Sequence, residues 1–189
     1  DKKYADELTR LEIGDGNVIR EFVTMHRGTQ QDQGLTLIGS DNLFMAYVHV
    51  AHDCVIGDHV IMANGASIAG HVHLGDHAIL GGFTLVHQFT QIGEYSFSAM
   101  GSAITQDVPP FVMVGGRPTR PHGINSVGME RNGKSPEVIR QIRQAYKILY
   151  KNNLRLEDAI EEMEGMAGES NELSNMVSFL RNVTRGILR

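Results

Sequence analysis

The chain has 189 residues, 41% of them hydrophobic, with 17 Lys+Arg against 22 Asp+Glu and a formal net charge of −5. That length fits one or two domains with a real core, and the mild acidity argues against general nucleic-acid binding. One cysteine, Cys54, excludes an internal disulfide framework; no run is apolar enough to span a membrane and no signal peptide is visible, so a reducing cytoplasm is expected.

The chain opens on a charged loop, Asp1-Lys2-Lys3-Tyr4. Ile13-Gly14 starts a first coil, continued by Ile19 and Met25 six residues apart. An aliphatic-glycine pair then recurs every 18 residues, as Ile38-Gly39, Ile56-Gly57, Leu74-Gly75 and Ile92-Gly93. Between these anchors a large apolar residue holds every sixth position: Ile38, Phe44, Val50, Ile56, Met62, Ile68, Leu74, Leu80, Val86 and Ile92. Neither the 3.6 period of a helix nor the 2 of a strand produces this beat. It is the hexapeptide signature of a parallel β-helix. Three hexads make one triangular coil, the aliphatic residue points inward, and glycine or a small residue takes the tight corner. Coils stack at roughly 4.8 Å.

Gly14 and Gly39 are 25 positions apart, seven more than the repeat. The excess predicts a loop projecting from a corner, and Gly28-Thr29-Gln30-Gln31-Asp32-Gln33-Gly34 has its composition. A solenoid needs a cap at each end. None precedes Ile13, so further coils are expected before Asp1.

Regular coils are expected to about Ile104, where Asp107-Val108-Pro109-Pro110 stops the ladder, because proline cannot donate to it. Gly115-Gly116-Arg117-Pro118 reads as loop, which places a β-helix over 1–116 and a small α-helical domain over 117–189. Ser135-Pro136-Glu137 combines an N-cap, a proline at N1 and a first-turn acid. The helix it opens runs to about Lys151, with Ile139, Ile142, Tyr146, Leu149 and Tyr150 on one face. Further helices are predicted over 156–166 and 171–183, the last capped by Ser170. Charge is split here. Seven basic residues and one acid lie from Arg131 to Arg155, and seven acids without a base from Glu157 to Glu172. Arg140, Arg143, Lys147 and Lys151 fall in one stripe, either a solvated surface or a docking strip for an acidic partner.

Nine histidines are many for this length, and six lie between His49 and His77. The hexads starting at Val50, Ile68 and Val86 should stack, which puts His52, His71 and His87 up one edge of the prism. Solvated corner positions would account for them. So would a metal site, since histidine clusters bind zinc, with His49/His52 and His71/His73 as close pairs. The third reading is acid–base catalysis: Asp53 would orient His52, and Gly70, lacking a side chain, would leave a backbone N–H accessible as an oxyanion donor. Cys54 reads as a small buried thiol. Walker-type and dinucleotide-binding glycine loops are absent from the sequence.

Several segments together resemble the UDP-N-acetylglucosamine O-acyltransferases, hexapeptide-repeat enzymes that begin lipid A synthesis in Gram-negative bacteria. They are His49-Val50-Ala51-His52-Asp53-Cys54, Ala69-Gly70-His71-Val72, Val86-His87-Gln88-Phe89, Gln106-Asp107-Val108-Pro109-Pro110 and the tail Thr184-Arg185-Gly186-Ile187-Leu188-Arg189. Met25-His26-Arg27-Gly28-Thr29 and the first four residues also look like family segments. The resemblance implies a left-handed β-helix, an exception to the right-handed crossover rule, and a homotrimer with active sites between subunits. It implies transfer of an (R)-3-hydroxyacyl group from acyl carrier protein to the 3-hydroxyl of UDP-N-acetylglucosamine, with neither cofactor nor metal.

By position, His52 would be the general base, Asp53 its orienting partner and the Gly70 amide the oxyanion donor. His49, His71, His87 and Gln88 would contact sugar, diphosphate or acyl chain. Asp1 and Lys3 would contact the nucleotide sugar with His26 nearby, and Asn125 and Arg131 would hold the nucleotide. Arg140, Arg143, Lys147 and Lys151 would dock the acidic carrier protein, mainly by steering. Met100 would close the acyl groove, since methionine at that position implies shorter chains and glycine longer ones. Two departures stand out: the family has several coils before the residue matching Asp1, and Arg131 is followed by Asn132 rather than a second basic residue. The alternatives are a zinc enzyme of the gamma carbonic anhydrase type, with three histidine ligands across a subunit interface, and a non-catalytic β-helix scaffold.

Overall fold

The computed structural model describes residues 6–168 and 170–189. Asp1 and Lys3, with their expected contact to a nucleotide sugar, lie outside the described residues.

Short strands wind into a three-faced prism. The first face is a 5-stranded sheet from Arg10–Ile13 to Gln91–Ile92, and the third is a 5-stranded sheet from Thr24–Met25 to Ala103–Ile104. The second face has 7 strands, beginning at Val18–Ile19. Pairing is parallel in the 18-residue register, Leu37 with Val55, Val55 with His73 and His73 with Gln91. Between the first two coils the register is 25, with Arg10 opposite Leu35 and Thr24 opposite His49. The seven extra residues are therefore taken up outside the ladder, as the spacing predicts.

All ten residues of the six-residue beat point inward, none more than 4% exposed. A second inward set stands two positions earlier in each hexad and includes Thr36, Val48, Cys54, Val60, Ala66, Val72 and Thr84, all fully buried. The sequence hid this set because its members are small or hydroxylated. Truncating one beat isoleucine, such as Ile68, to alanine would cost about 2–5 kcal/mol, because a rigid stack of coils collapses poorly into the hole.

The corners differ from expectation. Most left-handed positions are not glycine: Asp41, His59, His77 and Tyr95 take them on the edge between first and second faces, Phe22, Tyr47 and Phe83 on the next, and Asp53, His71 and Phe89 on the last. That conformation costs roughly 1–2 kcal/mol per non-glycine residue, and ring stacking up the edges offsets it, as in His59–His77 at 4.8 Å and His77–Tyr95 at 4.5 Å. The glycines of the aliphatic-glycine pairs serve close approach instead. A Cβ on Gly39 would lie 2.7 Å from the Gly57 carbonyl oxygen of the next coil.

Nor do the two prolines stop the ladder. Val112–Gly115 adds to the second face in parallel with Phe97–Ser98, and Arg120–Ile124 adds antiparallel to it. Pro109 and Pro110 sit at a corner, between the Val108 N–H that donates to Gln91 O and the Phe111 N–H that donates to Glu94 O. Both ladder donors are thus supplied by neighbouring residues.

Among the described residues four helices follow: α1 (Ser126–Arg131), α2 (Pro136–Lys151), α3 (Leu156–Ala167) and α4 (Asn171–Arg181). The sequence anticipated all but α1. Ser135 and Ser170 cap α2 and α4 through the Val138 and Leu173 N–H groups. Ile139, Ile142, Ala145, Tyr146, Ile148 and Leu149 form the buried face of α2. Lys134 fastens the helices to the prism, bonding Glu172 at 2.9 Å and standing 5.1 Å from the Tyr95 ring centre. The bond to Glu172 raises the Lys134 ammonium above its usual range and lowers the Glu172 carboxyl. The tail returns to the prism: Asp107 N–H donates to Gly186 O at 3.2 Å, and Leu188 N–H to Asp107 O at 3.0 Å.

Candidate active site

On the edge between third and first faces, each inward anchor is followed by a three-residue corner: Ala51-His52-Asp53, Ala69-Gly70-His71 and His87-Gln88-Phe89. Corner residues stack position upon position. His71 N–H donates to His52 O and Phe89 N–H to Gly70 O, each at 3.1 Å. Gly70 therefore lies over His52, His71 over Asp53, and Phe89 over His71. The expected column of three histidines is corrected: His52, Gly70 and Gln88 share one column, and Asp53, His71 and Phe89 the next. His71 stacks flat on Phe89 at 4.4 Å and meets His52 edge-on at 5.1 Å. His52, His71 and His87 belong to equivalent hexads but occupy the second, third and first corner positions, so His87 points elsewhere.

Asp53 is the fixed point, only 3% exposed. Its Oδ1 accepts the Thr29 N–H at 2.8 Å; its Oδ2 accepts the Thr29 hydroxyl at 2.6 Å and His52 Nδ1–H at 2.8 Å. Its own N–H donates to the buried Thr36 hydroxyl at 2.8 Å. Burial pushes the carboxyl up, but the bonds from Thr29 and His52 outweigh it and hold Asp53 below the usual carboxylate range. An ionised Asp53 can only accept, so the His52 proton sits on Nδ1 and the lone pair on Nε2. A Cβ on Gly70 would fall 2.6 Å from His52 Cε1 and 2.9 Å from Nε2, so only glycine fits over that ring. Among the described residues the Gly70 N–H has no partner.

The projecting loop, whose role the sequence left open, brings two further residues. Thr29 locks Asp53, and Asp32 Oδ2 accepts His71 Nδ1–H at 2.7 Å. His52, Asp53 and His71 together offer ligand atoms within 4.8 Å of one another, a spacing that small rotations of the two rings would close onto one metal ion. Cys54 takes no part. Its thiol donates to Ala69 O at 3.2 Å, and burial pushes it up to about 12.

Below this group, His49 Nδ1 bonds the Thr24 hydroxyl at 2.7 Å and stands 5.1 Å from the His26 ring. Burial, then the neighbouring His26, lowers the His49 imidazole. Above, the guanidinium of Arg185 reaches the corner from the tail, donating to Gln88 O at 2.7 Å and lying 3.3 Å from His87 Nδ1. The tail had carried part of the resemblance, but nothing in its composition marked Arg185 as a neighbour of residues almost a hundred positions earlier.

The remaining expected residues stand on other edges. Met100 is 78% exposed between second and third faces, while Ser98 takes the inward place. A cavity of about 590 Å³ on this edge is lined by Phe83, Leu85, Gly101, Ala103, Arg117 and Arg120 among others, with Met100 itself outside its lining. Asn125 belongs to the edge between first and second faces, where its Oδ1 accepts the Gly128 N–H of α1 and its Nδ2 donates to Tyr95 O. Arg131 is exposed in the last turn of α1. Arg140, Arg143, Lys147 and Lys151 are basic residues of α2. Arg140 pairs with Glu137, and the other three border a cavity of about 400 Å³ with Met113, His122 and Ile124. One chain therefore assembles the His52 group but not Met100 or Asn125 around it.

Comparison with known proteins gives this arrangement a context. A family model described as UDP-N-acetylglucosamine O-acyltransferase, domain 2, matches residues 107–188, and a bacterial transferase hexapeptide model matches residues 36–70. The acyl-[acyl-carrier-protein]–UDP-N-acetylglucosamine O-acyltransferases of Alkalilimnicola ehrlichii and Thiobacillus denitrificans are 54% and 51% identical over 189 residues, covering 100% of this chain and 73% of each relative. The solved UDP-N-acetylglucosamine acyltransferase of Francisella novicida superposes with a TM-score of 0.97 at 40% identity, covering 100% of this chain and 70% of that one. That of Moraxella catarrhalis also gives 0.97, at 43% identity, covering 100% and 74%. Identity at this level over the whole chain, on the same prism, places the protein in the acyl-[acyl-carrier-protein]–UDP-N-acetylglucosamine O-acyltransferase family.

Proposed function

We propose that the chain transfers an (R)-3-hydroxyacyl group from acyl carrier protein to the 3-hydroxyl of UDP-N-acetylglucosamine, opening lipid A biosynthesis. The observation that carries this reading is the His52–Asp53 pair beneath the Gly70 amide. His52 Nε2 takes the sugar hydroxyl proton as the oxygen attacks the thioester carbonyl. The Gly70 N–H stabilises the resulting oxyanion. The C–S bond then breaks, and the protonated His52 returns its proton to the leaving thiolate. His49, His71, His87 and Gln88 contact sugar, diphosphate or acyl chain, with Arg185 bracing the last two. Asp1, Lys3 and His26 contact the nucleotide sugar, and Asn125 and Arg131 hold the nucleotide. The family match favours this reaction over a zinc hydrase or an inert scaffold. Mixing the chain with UDP-N-acetylglucosamine and 3-hydroxyacyl carrier protein should give an O-acylated sugar nucleotide by mass spectrometry. Its absence would refute the assignment.

We infer a left-handed coil and a cytoplasmic homotrimer. No helix among the described residues is long and apolar enough to cross a membrane. Two observations support the trimer. Leu43, Ile61, Ile79, Phe97 and Met113 form an apolar column up the second face by register. The proposed site residues stand on three different edges, and a closed ring with a heterologous interface would bring edges of different copies together. Light scattering should give three times the chain mass; a monomer mass contradicts it.

The division of labour follows the expected parts 1–116 and 117–189 only loosely: the β-helix holds the reaction and the helices dock the carrier, while Arg120–Ile124 still pairs with the second face and Asn125, Arg131 and Arg185 serve the substrate side. Reversing the charge of Arg140, Arg143, Lys147 and Lys151 together should weaken apparent affinity for the acyl carrier and spare that for the nucleotide sugar. Salt should weaken the wild type likewise, since exposed charges are screened beyond about 10 Å at 0.1 M. Salt-independent kinetics would return the stripe to plain surface.

Met100, in turn, is the proposed stop of the acyl groove. A donor near ten carbons should be preferred over one of fourteen, and Met100→Gly should shift the ratio toward the longer chain by roughly 10–200-fold, the worth of small changes in an apolar pocket. Competition between mixed donors reads this directly, and an unchanged ratio removes Met100 from the role.

A further inference from the structure

We propose that His52, Asp53 and His71 form a binding site for a divalent transition-metal cation, Zn²⁺ in the first instance, and that its occupation switches the enzyme off. Three observations converge. The ligand atoms of the three residues lie within 4.8 Å of one another, and two of the three are imidazoles. The ring centres of His52 and His71 are 5.1 Å apart; a tetrahedral zinc with bonds of roughly 2.0–2.1 Å to two imidazole nitrogens sets them roughly 5 Å apart. His71 is also braced as metal-bound histidines usually are. Its Nδ1–H donates to Asp32 Oδ2 at 2.7 Å, which fixes the tautomer and leaves Nε2, 4.0 Å from Asp53 Oδ2, as the ligating nitrogen.

Asp53 supplies the third ligand from a rigid seat, its Oδ1 held by the Thr29 N–H at 2.8 Å. Water would complete four-coordination. Two nitrogens and one carboxylate oxygen suit zinc or copper and not magnesium, which demands an oxygen shell. The ionised Asp53 in the site and the Asp32 carboxylate behind it supply negative charge to match the cation.

The inhibitory consequence follows from the imidazole itself. A cation on His52 Nε2 consumes the lone pair that would take the substrate proton. A cation on Nδ1 displaces the proton there, and the ring's one proton then resides on Nε2. In both cases the base is lost. This consequence rests on the acyl-transfer reading, whereas the binding does not.

Equilibrium dialysis of the full chain against micromolar Zn²⁺, with bound metal counted by atomic absorption, tests the site. One Zn²⁺ per chain is expected, and Co²⁺ should bind there with the intense visible absorption of tetrahedral coordination. His71→Ala and His52→Ala should each weaken binding at least 10-fold. Asp32→Asn, an exposed loop change, should weaken it about 10–100-fold, the usual worth of such a brace. His59→Ala, on another edge, should change nothing, and Mg²⁺ should not compete. Absence of saturable binding overturns the proposal, as does binding indifferent to His71→Ala and His52→Ala or lost in His59→Ala. Where turnover is measurable, Zn²⁺ should abolish it and a chelator restore it; stoichiometric binding with undiminished turnover overturns the inhibitory role. A chain that binds zinc as described yet never acylates the sugar nucleotide indicts the acyl-transfer reading and leaves the site standing.

Discussion

His52→Ala is expected to lower turnover by about 10²–10⁴, the usual contribution of a positioned general base, in a protein that stays folded. The two halves of that expectation have separate grounds. The loss follows from the Nδ1 bond to Asp53, which leaves Nε2 as the one nitrogen of that ring able to take a proton. The retained fold follows from the position: the side chain is 25% exposed at a corner and contributes nothing to the inward columns. Asp53 keeps its bonds from Thr29 and its own N–H bond to Thr36 when the ring is removed, so no buried carboxylate is left bare. Steady-state rates with the acylated carrier, beside a circular dichroism melt, give the answer. A folded His52→Ala protein with near-normal turnover would end the assignment of His52 as the base.

The prism was legible because its period is 18 and the inward residue of each hexad is large and aliphatic. The hand of the coil was not, because a six-residue beat is the same for either hand. Among the corners, the aliphatic-glycine pairs drew attention to glycine, yet the strained positions also went to aspartates and to histidine and aromatic residues, several of whose rings stack up the edges. The prolines misled for a similar reason. Proline is excluded from a ladder, not from the corner between two strands. The helix α1 has 6 residues and opens on Asn125-Ser126 without an apolar stripe, so periodicity could not find it.

At the site, the stacking of His52 under Gly70 followed from counting hexads. The placement of His87 failed because equivalent hexads do not guarantee equivalent corner positions. Thr29 and Asp32 stand in a loop of glycine and glutamine with no period at all. Arg185 arrives from a tail whose return to the prism depends on backbone bonds at Asp107. Neither local spacing nor composition encodes such contacts; they come from where a loop and a tail happen to land on a rigid frame.

Gly70→Ala carries the second large expected effect, and it separates two roles for the same glycine. The backbone of Gly70 is not in the left-handed region, so alanine meets no conformational penalty there. Its new methyl, however, would lie 2.6 Å from His52 Cε1 and 2.9 Å from Nε2, closer than real contacts allow. The ring must move. Asp53, buried and bound on both oxygens, will not follow it, so the Nδ1 bond is stretched or lost. Displacing a reacting group by about 1 Å can cost on the order of 10² in rate, and overpacking adds about 1–3 kcal/mol of destabilisation. The Gly70 N–H survives the substitution, so this loss reports displacement of the base and not removal of the oxyanion donor. The double variant decides between them. With His52 already alanine, the methyl at residue 70 has room, and adding Gly70→Ala should lower the residual rate by little. Contacting residues are expected to be non-additive in this way. If the two losses instead multiply in full, Gly70→Ala acts through the amide or the acyl groove, and the steric account of why a glycine stands over His52 is wrong.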